Sequence, residues 1–378
     1  MEKIIGFDAK RANANRTGLG NYSRFVIDAL ASTSYEAQWR MYIPRRKSNP
    51  EYDALLDYPR VTTHLPQKKA WRRLASLWRT RAMTGDLQRD GVQLFHGLSN
   101  ELPVGLDKVG IRSVVTIHDL IFLRYPQFYK PADRAIYTWK FHRACRYADK
   151  IVAVSECTKR DIVDFFGIDP SKIEVIYQGC DEMFAQEITE ADTIRVRQEY
   201  NLPLRYMITV GTLESRKNLR EAVEALLYLP ADMHLVAVGR ATPYTEEVMR
   251  YAAQQQGLTS RIHLLHKVAY HDLPALYKRA EAMVYPSYFE GFGIPIIEAM
   301  SVGIPVVAAT GSCLEEAGGP GSLYVSPDDA EALAAAVSRI LNDKELAAEM
   351  AVQGKEYVQR FSKEVIASQL LSLYDSLL

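Results

Sequence analysis

The 378-residue sequence predicts an α/β protein with two doubly wound parallel sheets. Short apolar runs rich in Val and Ile alternate with longer stretches of helical periodicity, a pattern typical of strands that are buried on both faces. The alternation occurs twice, and a chain of this length exceeds the usual size of one domain. Because parallel strands need long crossovers, helices are expected on both sides of each sheet.

The predicted strands and helices follow one another in both halves. In the first half the strands are 4–8, 39–43, 92–96, 113–117, 151–154 and 173–176, and helical periodicity is clearest over 21–31 and 132–147. In the second half the strands are 206–210, 234–238, 262–265, 282–285, 305–309 and 323–325. The helices between them are 219–229, 246–256, 272–279, 295–301 and 330–341. Each half therefore has enough strands for a sheet of its own.

The stretch 183–203 is rich in charge and poor in strand signal, so we predict that it links a domain at 1–182 to a domain at 204–362. The last helix, 363–378, is apolar on one face and is expected to pack back on the first domain. The two domains are expected to face each other across a cleft, because doubly wound sheets bind ligands at the carboxyl ends of their strands.

Charge and cysteine content limit the classes of function. Net charge is zero, yet residues 1–182 hold 29 Lys and Arg against 21 Asp and Glu, and the remainder is acidic by the same margin. A basic half suits anionic lipid, a diphosphate-bearing acceptor or nucleic acid, although uneven surface composition gives the same imbalance. The four scattered cysteines, the N-terminus MEKIIGFDAK and the lack of a long apolar run predict a cytoplasmic protein without a spanning helix.

The most informative segment is YPSYFEGFGIPIIEAMSVGIPVVA, residues 285–308, in which a strand, a glycine-rich loop and a helix follow one another. Gly291 and Gly293 allow the backbone to approach a ligand closely. The N–H groups at the helix start suit hydroxyls or an anion. Glu290 in the loop and Glu298 in the early helix are expected to point into the same hollow. The alternative is a surface loop with two solvated glutamates.

A second segment, VGTLESRKN at 210–218, follows the first strand of the second half. Gly211 opens the loop, and Asn218 is expected to cap the next helix. Arg216 and Lys217 precede that helix, and cations at a helix N-terminus are unfavourable by roughly 0.3–1 kcal/mol each. A bound diphosphate reverses this penalty, so both side chains are candidate phosphate ligands. An exposed basic turn is the alternative.

Two segments of the first half are candidates for contact with the same ligand. In RTGLGNY at 16–22, Gly18 and Gly20 predict a flexible turn between the first strand and the first helix, and the third glycine of a dinucleotide site is missing. His118 ends a strand in TIHDL. It is placed to touch a ligand, and the alternative is a hydrogen-bonded structural histidine.

The segment KKAWRRLASLWRTR, residues 68–81, combines cations with an apolar stripe of Trp71, Leu74 and Trp78. This spacing predicts one amphipathic helix. Its cations are Lys68, Lys69, Arg72, Arg73, Arg79 and Arg81. The composition is typical of a helix that lies on an anionic membrane, and equally of a helix packed on the first sheet with solvated cations.

Together, these motifs resemble the retaining glycosyltransferases with the GT-B fold, the group of glycogen synthase relatives and bacterial mannosyltransferases. The resemblance runs through GLGNYS, TIHDL, VSECTKRDIVDFFGIDPSKIEVIYQGCD, VGTLESRKNL, EGFGIPIIEAM and GSCLEEAGGPGSLYVSP, and so covers nearly the whole chain. It departs at Gln178, where the group usually has Asn. The resemblance implies two Rossmann-like domains, the first for an acceptor and the second for a nucleotide sugar.

The resemblance also implies which side chains act on the reacting groups. These candidate catalytic residues are His118, Arg216, Lys217 and Glu290. Arg216 and Lys217 would bind the donor diphosphate, whereas Glu290 would hold the donor sugar. His118 would contact the sugar near its C6 hydroxyl.

A wider set is implied in donor binding. It comprises Gly18, Gly20, Gly211, Arg216, Lys217, Glu290, Phe292, Gly293, Ile294 and Glu298. Within this set, Glu298 would hydrogen-bond the ribose, and the backbone of 292–294 would hold the sugar. Gly18 and Gly20 would approach the donor from the first domain.

The resulting hypothesis is a transferase without a cofactor or metal, since the sequence has no Asp-x-Asp motif. The expected donor is GDP-mannose and the expected acceptor is a saccharide or a polyprenyl-diphosphate-linked saccharide, used in surface polysaccharide biosynthesis at the inner face of the membrane. The alternatives are a UDP-sugar donor, a sugar-nucleotide epimerase of the same architecture and a non-catalytic nucleotide-sugar-binding module. No motif supports nucleic-acid binding.

Overall fold

Two parallel sheets, one of seven strands and one of six, organise the described part of the chain, residues 2–15 and 17–378 of a computed structural model. At Lys69 only the backbone is described. The first sheet belongs to one compact unit, Met1–Gly179 with Phe361–Leu378, and the second sheet to another, Cys180–Arg360. This architecture confirms the predicted fold class of two doubly wound α/β domains.

The strands of the first sheet are β1 (Lys3–Asp8), β2 (Ala37–Tyr42), β3 (Val61–His64), β4 (Leu94–Gly97), β5 (Arg112–Ile117), β6 (Lys150–Ala153) and β7 (Ile173–Val175). They are ordered β3-β2-β1-β4-β5-β6-β7, and every neighbouring pair is parallel. Strand β3 was not predicted, because it is an edge strand of four residues in which only Val61 is buried. The order reverses between β1 and β4, which places a switch point at their carboxyl ends.

The strands of the second sheet are β8 (Tyr206–Val210), β9 (His234–Val238), β10 (Ile262–Leu265), β11 (Ala282–Tyr285), β12 (Val306–Ala309) and β13 (Leu323–Val325). All six match predicted strands. They are ordered β10-β9-β8-β11-β12-β13, again with parallel neighbours. The switch point of this sheet lies between β8 and β11.

Helices supply the crossovers between these strands. In the first unit they are α1 (Lys10–Ala14), α2 (Gly18–Ala31), α3 (Pro50–Asp53), α4 (Lys69–Arg73), α5 (Ala75–Leu77), α6 (Met83–Arg89), α7 (Ile121–Arg124), α8 (Pro131–Tyr147) and α9 (Glu156–Phe166). In the second unit they are α10 (Glu190–Glu199), α11 (Leu219–Ala225), α12 (Pro243–Ala253), α13 (Leu273–Arg279), α14 (Ile294–Val302), α15 (Leu314–Gly318), α16 (Ala330–Asn342) and α17 (Lys344–Tyr357). The final helix, α18 (Lys363–Asp375), belongs to the first unit.

The stretch 183–203 lies inside the second unit and contains helix α10. A reciprocal capping box between Thr189 and Asp192 begins this helix. Arg195 on α10 pairs with the buried carboxylate of Asp272 at 2.5 Å. Charged residues of this stretch therefore cap helix α10 and pair it with another part of the second unit.

The segment 68–81 is not the single amphipathic helix that its spacing predicts. It divides into α4, α5 and a π-helical turn over Trp78–Ala82. Trp78 is fully buried and donates to Asp86 at 2.8 Å. Arg79 is also buried and donates from Nε to Asp8 at 2.9 Å. The burial of Trp78 and Arg79 therefore interrupts the continuous α-helix that the spacing of the apolar residues predicts. Within the described residues, no helix has both the length and the apolar character needed to cross a bilayer.

Helix α18 packs on α2 and reaches the centre of the first sheet. The Tyr374 hydroxyl lies 2.6 Å from His96 Nδ1, and His96 Nε2 lies 2.8 Å from Thr116 Oγ1. Burial lowers the pKa of His96 to about 3, so the ring is neutral at ordinary pH. Both nitrogens of a fully buried imidazole are thereby satisfied, one of them by the last helix.

We predict that Tyr374→Phe destabilises the first unit by about 1–3 kcal/mol, because one nitrogen of His96 is left buried and unpaired. Urea unfolding, with hydrogen exchange read at β4, measures the change. Tyr228→Phe is the matched control, since Tyr228 is 57% exposed. Equal stability of the two variants would contradict the role assigned to α18.

Candidate active site

The switch point of the second sheet brings the two most informative sequence segments together. Strands β8 and β11 are paired neighbours, and the loops 211–218 and 286–293 leave their carboxyl ends. The Tyr288 N–H donates to the Arg216 carbonyl at 2.9 Å, which ties the loops to each other. Doubly wound sheets bind their ligands at this position.

Arg216, Lys217 and Glu290 form an ion cluster that joins the two loops. Lys217 Nζ lies 2.7 Å from Glu290 Oε1, and Arg216 Nη1 lies 2.8 Å from Glu290 Oε2, so each carboxylate oxygen faces one cation. Lys217 also donates to the Tyr285 hydroxyl at 2.6 Å. The side chains of Arg216, Lys217 and Glu290 keep 12%, 18% and 12% of their exposure, which is enough for a ligand to reach them.

The cluster keeps its members ionised. Burial alone raises the pKa of Glu290, but the charges of Arg216 and Lys217 outweigh burial and hold that pKa at about 2. Burial lowers the pKa of Lys217, but Glu290 and Tyr285 outweigh it and the net pKa lies above the usual value for lysine. Burial and the charge of Glu290 raise the pKa of Tyr285 to about 12. At neutral pH the cluster therefore presents two cations, one carboxylate and a neutral phenol.

Gly211 leaves room for the Lys217 stem. Its φ is +145°, and a Cβ there would lie 3.0 Å from both Cδ and Cε of Lys217. Any larger residue would push the ammonium group away from Glu290. Arg216 is oriented separately, since its guanidinium donates to the Phe289 carbonyl at 2.5 Å and to Glu214 at 2.7 Å.

The thiol of Cys313 fixes the loop that carries Glu290. Its Sγ lies 3.0 Å from the carbonyl oxygens of both Glu290 and Phe292, so the single S–H proton is shared between them. The Cys313 side chain is fully buried just before α15. One shared thiol proton therefore contacts the backbone on both sides of Gly291.

Helix α14 begins directly after this loop. Gly293, with φ +131°, is its N-cap, and a Cβ there would lie 3.2 Å from Leu314 and Ala317. Ile294 is the first helical residue and Pro295 the second. N–H groups of a first helical turn find no acceptor within the helix, so the start of α14 offers donors suited to sugar hydroxyls.

Glu298 lies on α14, one turn further along. It is 6% exposed, and the Tyr277 hydroxyl donates to its Oε2 at 3.0 Å. Burial raises the pKa of Glu298 to about 7; the Tyr277 hydrogen bond opposes the rise and the charge of Asp181 adds to it. Glu298 therefore titrates near neutral pH, whereas Glu290 stays ionised.

Asn218 does not cap α11 as predicted. It occupies the position before the helix with φ +53°, and its side chain makes no capping bond. Instead Nδ2 donates to the Pro327 carbonyl at 2.6 Å. The left-handed backbone turns the amide away from the helix start, so Asn218 anchors the loop to a neighbouring segment.

The remaining candidates belong to the first unit. His118 is 5% exposed at the end of β5, and its ring edge packs on Tyr22 with centroids 4.6 Å apart. Its Nε2 lies 2.9 Å from the Leu98 carbonyl and its Nδ1 lies 2.9 Å from Gln178 Nε2. The carbonyl accepts and the amide donates, so His118 carries its proton on Nε2. Burial lowers its pKa to about 4, which keeps the ring neutral.

Gly18 and Gly20 lie in the first turn of α2, and not in the flexible turn that their spacing predicts. Gly20 is buried against the Asn15 carbonyl, where a Cβ would come within 1.9 Å, while Gly18 has open space around it. Helix α1 lies between β1 and α2. Arg16, the first residue of the quoted motif, lies outside the described residues.

Sequence reasoning missed four residues that hold the candidate groups in place: Tyr277, Tyr285, Cys313 and Gln178. Tyr285 was detectable in principle, because it ends the strand that leads into the glycine-rich loop. Gln178 stood out only as a departure from Asn, and its longer side chain reaches the His118 ring. Tyr277 and Cys313 come from other elements, and no spacing in the sequence relates them to Glu298 or Glu290.

In residues 2–15 and 17–378, no three His, Cys, Asp or Glu side chains are grouped as a metal site.

Comparison with known proteins identifies the class of enzyme. Residues 17–183 match the family model described as "Glycosyltransferase Family 4", and residues 190–357 match the one described as "Glycosyl transferases group 1". The two matches take in most of both units. The chain therefore belongs to the GT-B glycosyltransferases that combine these two domains, as the sequence motifs predicted, and it is a glycosyltransferase.

Its relatives include enzymes of bacterial surface polysaccharides. The chain is 27% identical over 371 residues to O-antigen chain mannosyltransferase B of Escherichia coli, covering 95% of this chain and 96% of the relative. It is 27% identical over 226 residues to O-antigen chain mannosyltransferase RfbU of Salmonella typhimurium, covering 60% of each. The crystal structure of Anabaena Alr3699/HepE with UDP-glucose superposes with a TM-score of 0.76 at 20% identity over 100% of both chains. That likeness confirms the fold.

We predict that Glu298 makes the second unit less stable as pH rises from about 4.5 toward 7. The folded pKa lies above the ordinary value of 4.5, so the folded state binds the extra proton in this window and loses the advantage as that proton dissociates. Infrared titration of the carboxyl band, in the unmodified protein and in Glu298→Gln, measures the pKa of Glu298 on which this change in stability depends. Tyr277→Phe should raise the pKa further, because it removes the bond that favours the carboxylate.

Glu221→Gln is the control for this titration, because burial and nearby carboxylates also raise the pKa of Glu221 to about 7. Each variant should remove one titrating group near neutral pH. An unchanged spectrum in Glu298→Gln would refute the assignment.

A further prediction concerns Cys313. Cys313→Ala removes the donor for two loop carbonyls, so hydrogen exchange over 290–293 should become faster and the unit should lose about 1–2 kcal/mol. Cys313→Ser keeps a donor and should preserve most of the protection. Exchange mass spectrometry compares the three proteins, and equally fast exchange in the serine and alanine variants would argue that volume, and not the hydrogen bonds, matters.

Proposed function

We propose that the protein transfers mannose from GDP-mannose, with retention of configuration, to a saccharide or a polyprenyl-diphosphate-linked saccharide at the cytoplasmic face of the membrane during surface polysaccharide biosynthesis. The observation that carries the proposal is the Arg216–Lys217–Glu290 cluster at the switch point of the second sheet. The mannosyltransferase names of relatives that match 95% and 60% of the chain favour mannose over other hexoses.

Arg216 and Lys217 are proposed to bind the donor diphosphate. Glu290 pairs with both cations, and the more exposed Glu214 pairs with Arg216 at 2.7 Å, so an incoming diphosphate would take the place of Glu214 on the guanidinium. Arg216 offers a planar fork for two phosphate oxygens, and Lys217 offers a point charge. As the bond from the sugar to the diphosphate breaks, negative charge grows on the leaving oxygen. Cations already held in place stabilise that charge more than they stabilise the ground state, which is the condition for catalysis.

The two carboxylates are proposed to hold different parts of the donor. Glu298 would accept hydrogen bonds from the ribose hydroxyls, since Tyr277 uses only its Oε2 and no described residue donates to Oε1. Glu290 would accept from a sugar hydroxyl, with the backbone N–H groups of 292–294 donating to the same sugar. Gly211 would act indirectly, by leaving room for Lys217.

Retention requires the acceptor hydroxyl to attack the face from which the diphosphate leaves. In the proposed reaction the acceptor O–H proton passes to the departing phosphate oxygen, so no protein base is needed. Glu298 is assigned to the ribose and Glu290 is paired with two cations, and neither is therefore proposed as a nucleophile. For His118, Gly18 and Gly20 of the first unit, donor contact stays a prediction.

We also propose that the reaction needs no divalent metal. The sequence lacks an Asp-x-Asp motif, and Arg216 and Lys217 supply the positive charge that a metal ion brings to a diphosphate in other transferases. Turnover should accordingly persist after chelation with EDTA.

The donor class is tested by calorimetric titration with GDP, UDP, ADP and their sugars. We expect GDP and GDP-mannose to bind tightest. Lys217→Gln should lower turnover on the order of a hundredfold through lost stabilisation of the leaving group, and Lys172→Gln, on the other unit, serves as the control. Tighter binding of UDP-glucose than of GDP-mannose would overturn the mannose assignment in favour of a UDP-sugar transferase.

Product analysis separates a transferase from a sugar-nucleotide epimerase. Proton NMR should show a new glycosidic anomeric signal only when an acceptor saccharide is present, with the same configuration as the donor. Conversion of the donor sugar without acceptor would favour the epimerase, and an inverted product would contradict retention.

A further inference from the structure

Exposed apolar side chains of the first unit concentrate on helix α8. Ile136, Tyr137, Trp139 and Tyr147 are 52%, 37%, 57% and 56% exposed. The opposite side of α8 is ordinary core, with Ala144 and Cys145 buried. Large apolar groups scattered singly over a surface need no explanation, but several on one helix mark a contact surface.

The exposed residues form a continuous stripe. Ile136, Trp139, Arg143 and Tyr147 follow one another at spacings of three and four, which places them along one side of the helix. The Arg143 and Arg146 guanidinium groups lie 5.7 Å and 5.9 Å from the centre of the Tyr147 ring. Aromatic rings and guanidinium groups are therefore interleaved in the last two turns.

A groove of about 360 Å³ continues this stripe toward the 102–108 loop. Trp139, Arg143 and Tyr147 line one wall, and Val104, which is 39% exposed, lies on the other. The surface is therefore wider than the helix alone.

Positive charge dominates around the stripe. Helix α8 contains one acidic residue, Asp133, against four Lys and Arg. The neighbouring carboxylates Glu101 and Asp149 are paired, with Lys140 at 3.1 Å and Arg112 at 3.3 Å respectively. Arg143 Nη1 donates to the Leu102 carbonyl at 3.3 Å, but neither Arg143 nor Arg146 is held by these carboxylates, so both can meet an anionic partner, with Asp107 in the groove as the opposing charge.

We propose that this α8 stripe docks on the interface of an anionic lipid bilayer. Trp and Tyr prefer the boundary between headgroups and acyl chains, an isoleucine inserts slightly deeper, and arginines on the same face pair with lipid phosphates. The helix then lies in the plane of the membrane. The proposal does not rest on the proposed mannose chemistry.

The α8 stripe fits a membrane better than the 68–81 segment does. In that segment Trp78 is buried and Arg79 is engaged by Asp8, so two of the groups that suggested a membrane helix are committed to the interior. Leu74 and Leu77 are 54% and 42% exposed there, but the two aromatic residues of the segment are not exposed: Trp71 is partly buried and Trp78 is buried. The two surfaces are separable by mutation.

Co-sedimentation of the full-length protein with vesicles tests the proposal. Binding is expected to vesicles of phosphatidylcholine with one-quarter phosphatidylglycerol, to weaken with added salt, and to be much weaker on phosphatidylcholine alone. Ile136→Ser with Trp139→Ser should lower binding at least about tenfold, since it removes two inserting side chains. Arg143→Gln with Arg146→Gln should remove the preference for the anionic vesicles.

The matched control is Leu227→Ser with Tyr228→Ser, whose side chains are 46% and 57% exposed on the other unit; this variant should bind vesicles like the unmodified protein. Equal thermal unfolding of both double variants confirms that folding is preserved. A third variant, Lys68→Gln with Arg73→Gln and Arg81→Gln, tests the 68–81 segment directly and should bind normally.

Tryptophan fluorescence supplies a local readout. Trp39 and Trp78 are buried, Trp71 is partly buried, and Trp139 is 57% exposed, so a blue shift on vesicle binding reports mainly Trp139. The proposal is overturned if the α8 variant binds like the unmodified protein, if only the 68–81 variant loses binding, if no anionic vesicle binds, or if the stripe instead mediates self-association in sedimentation velocity. Unchanged donor binding in the α8 variant keeps this test separate from that of the transferase activity.

Discussion

The attraction between Glu290 and the two cations Arg216 and Lys217 is the interaction on which the candidate site depends. It connects two loops that are more than seventy residues apart in sequence and that meet only because β8 and β11 are neighbours. Removing one member of a partly buried cluster leaves uncompensated charge, at a cost of about 3–5 kcal/mol for a fully buried pair and less where solvent still reaches. Several other features serve this interaction: the missing side chain at Gly211, the hydroxyl of Tyr285 and the thiol of Cys313.

The two units differ in the charge state of their buried titratable side chains. In the second unit, Glu290 and Lys217 are held charged at neutral pH, and the carboxyl group of Glu298 is poised near its titration point. In the first unit, His118 and His96 are neutral and each ring has both nitrogens engaged. Charged groups suit the recognition of a nucleotide diphosphate, whereas a neutral and fully hydrogen-bonded histidine provides a rigid surface.

The fold could be predicted from the sequence because its strands are short, apolar and β-branched, and because a parallel sheet buries both faces. The exceptions follow from local physics. Strand β3 is too exposed to show an apolar pattern, and α12 begins at Pro243, three residues before its predicted start, because a capping box at Thr242 outweighs the weak periodicity. The 68–81 segment has helical spacing, yet Trp78 and Arg79 turn inward to Asp86 and Asp8 and break the helix.

The candidate site could be predicted as a set of residue types, since glycines, two carboxylates and two cations follow strand ends. Its pairings could not, because a hydrogen bond such as Cys313 to Glu290, or Tyr277 to Glu298, depends on packing between elements that no sequence period relates. Asn218 shows the same limit at short range. Its residue type suits a helix cap, but the left-handed backbone directs the amide to Pro327.

The most direct measurement of the central claim is calorimetric binding of GDP, together with turnover of GDP-mannose, in the Glu290→Gln variant. Neutralising Glu290 removes the one carboxylate that faces both cations, so the account predicts that the nucleoside diphosphate binds more tightly while sugar transfer slows, because the sugar has lost its acceptor group. Weaker binding of GDP in this variant would show that Glu290 only stabilises the conformation of the loop. Unchanged transfer would show that the cluster does not hold the reacting sugar.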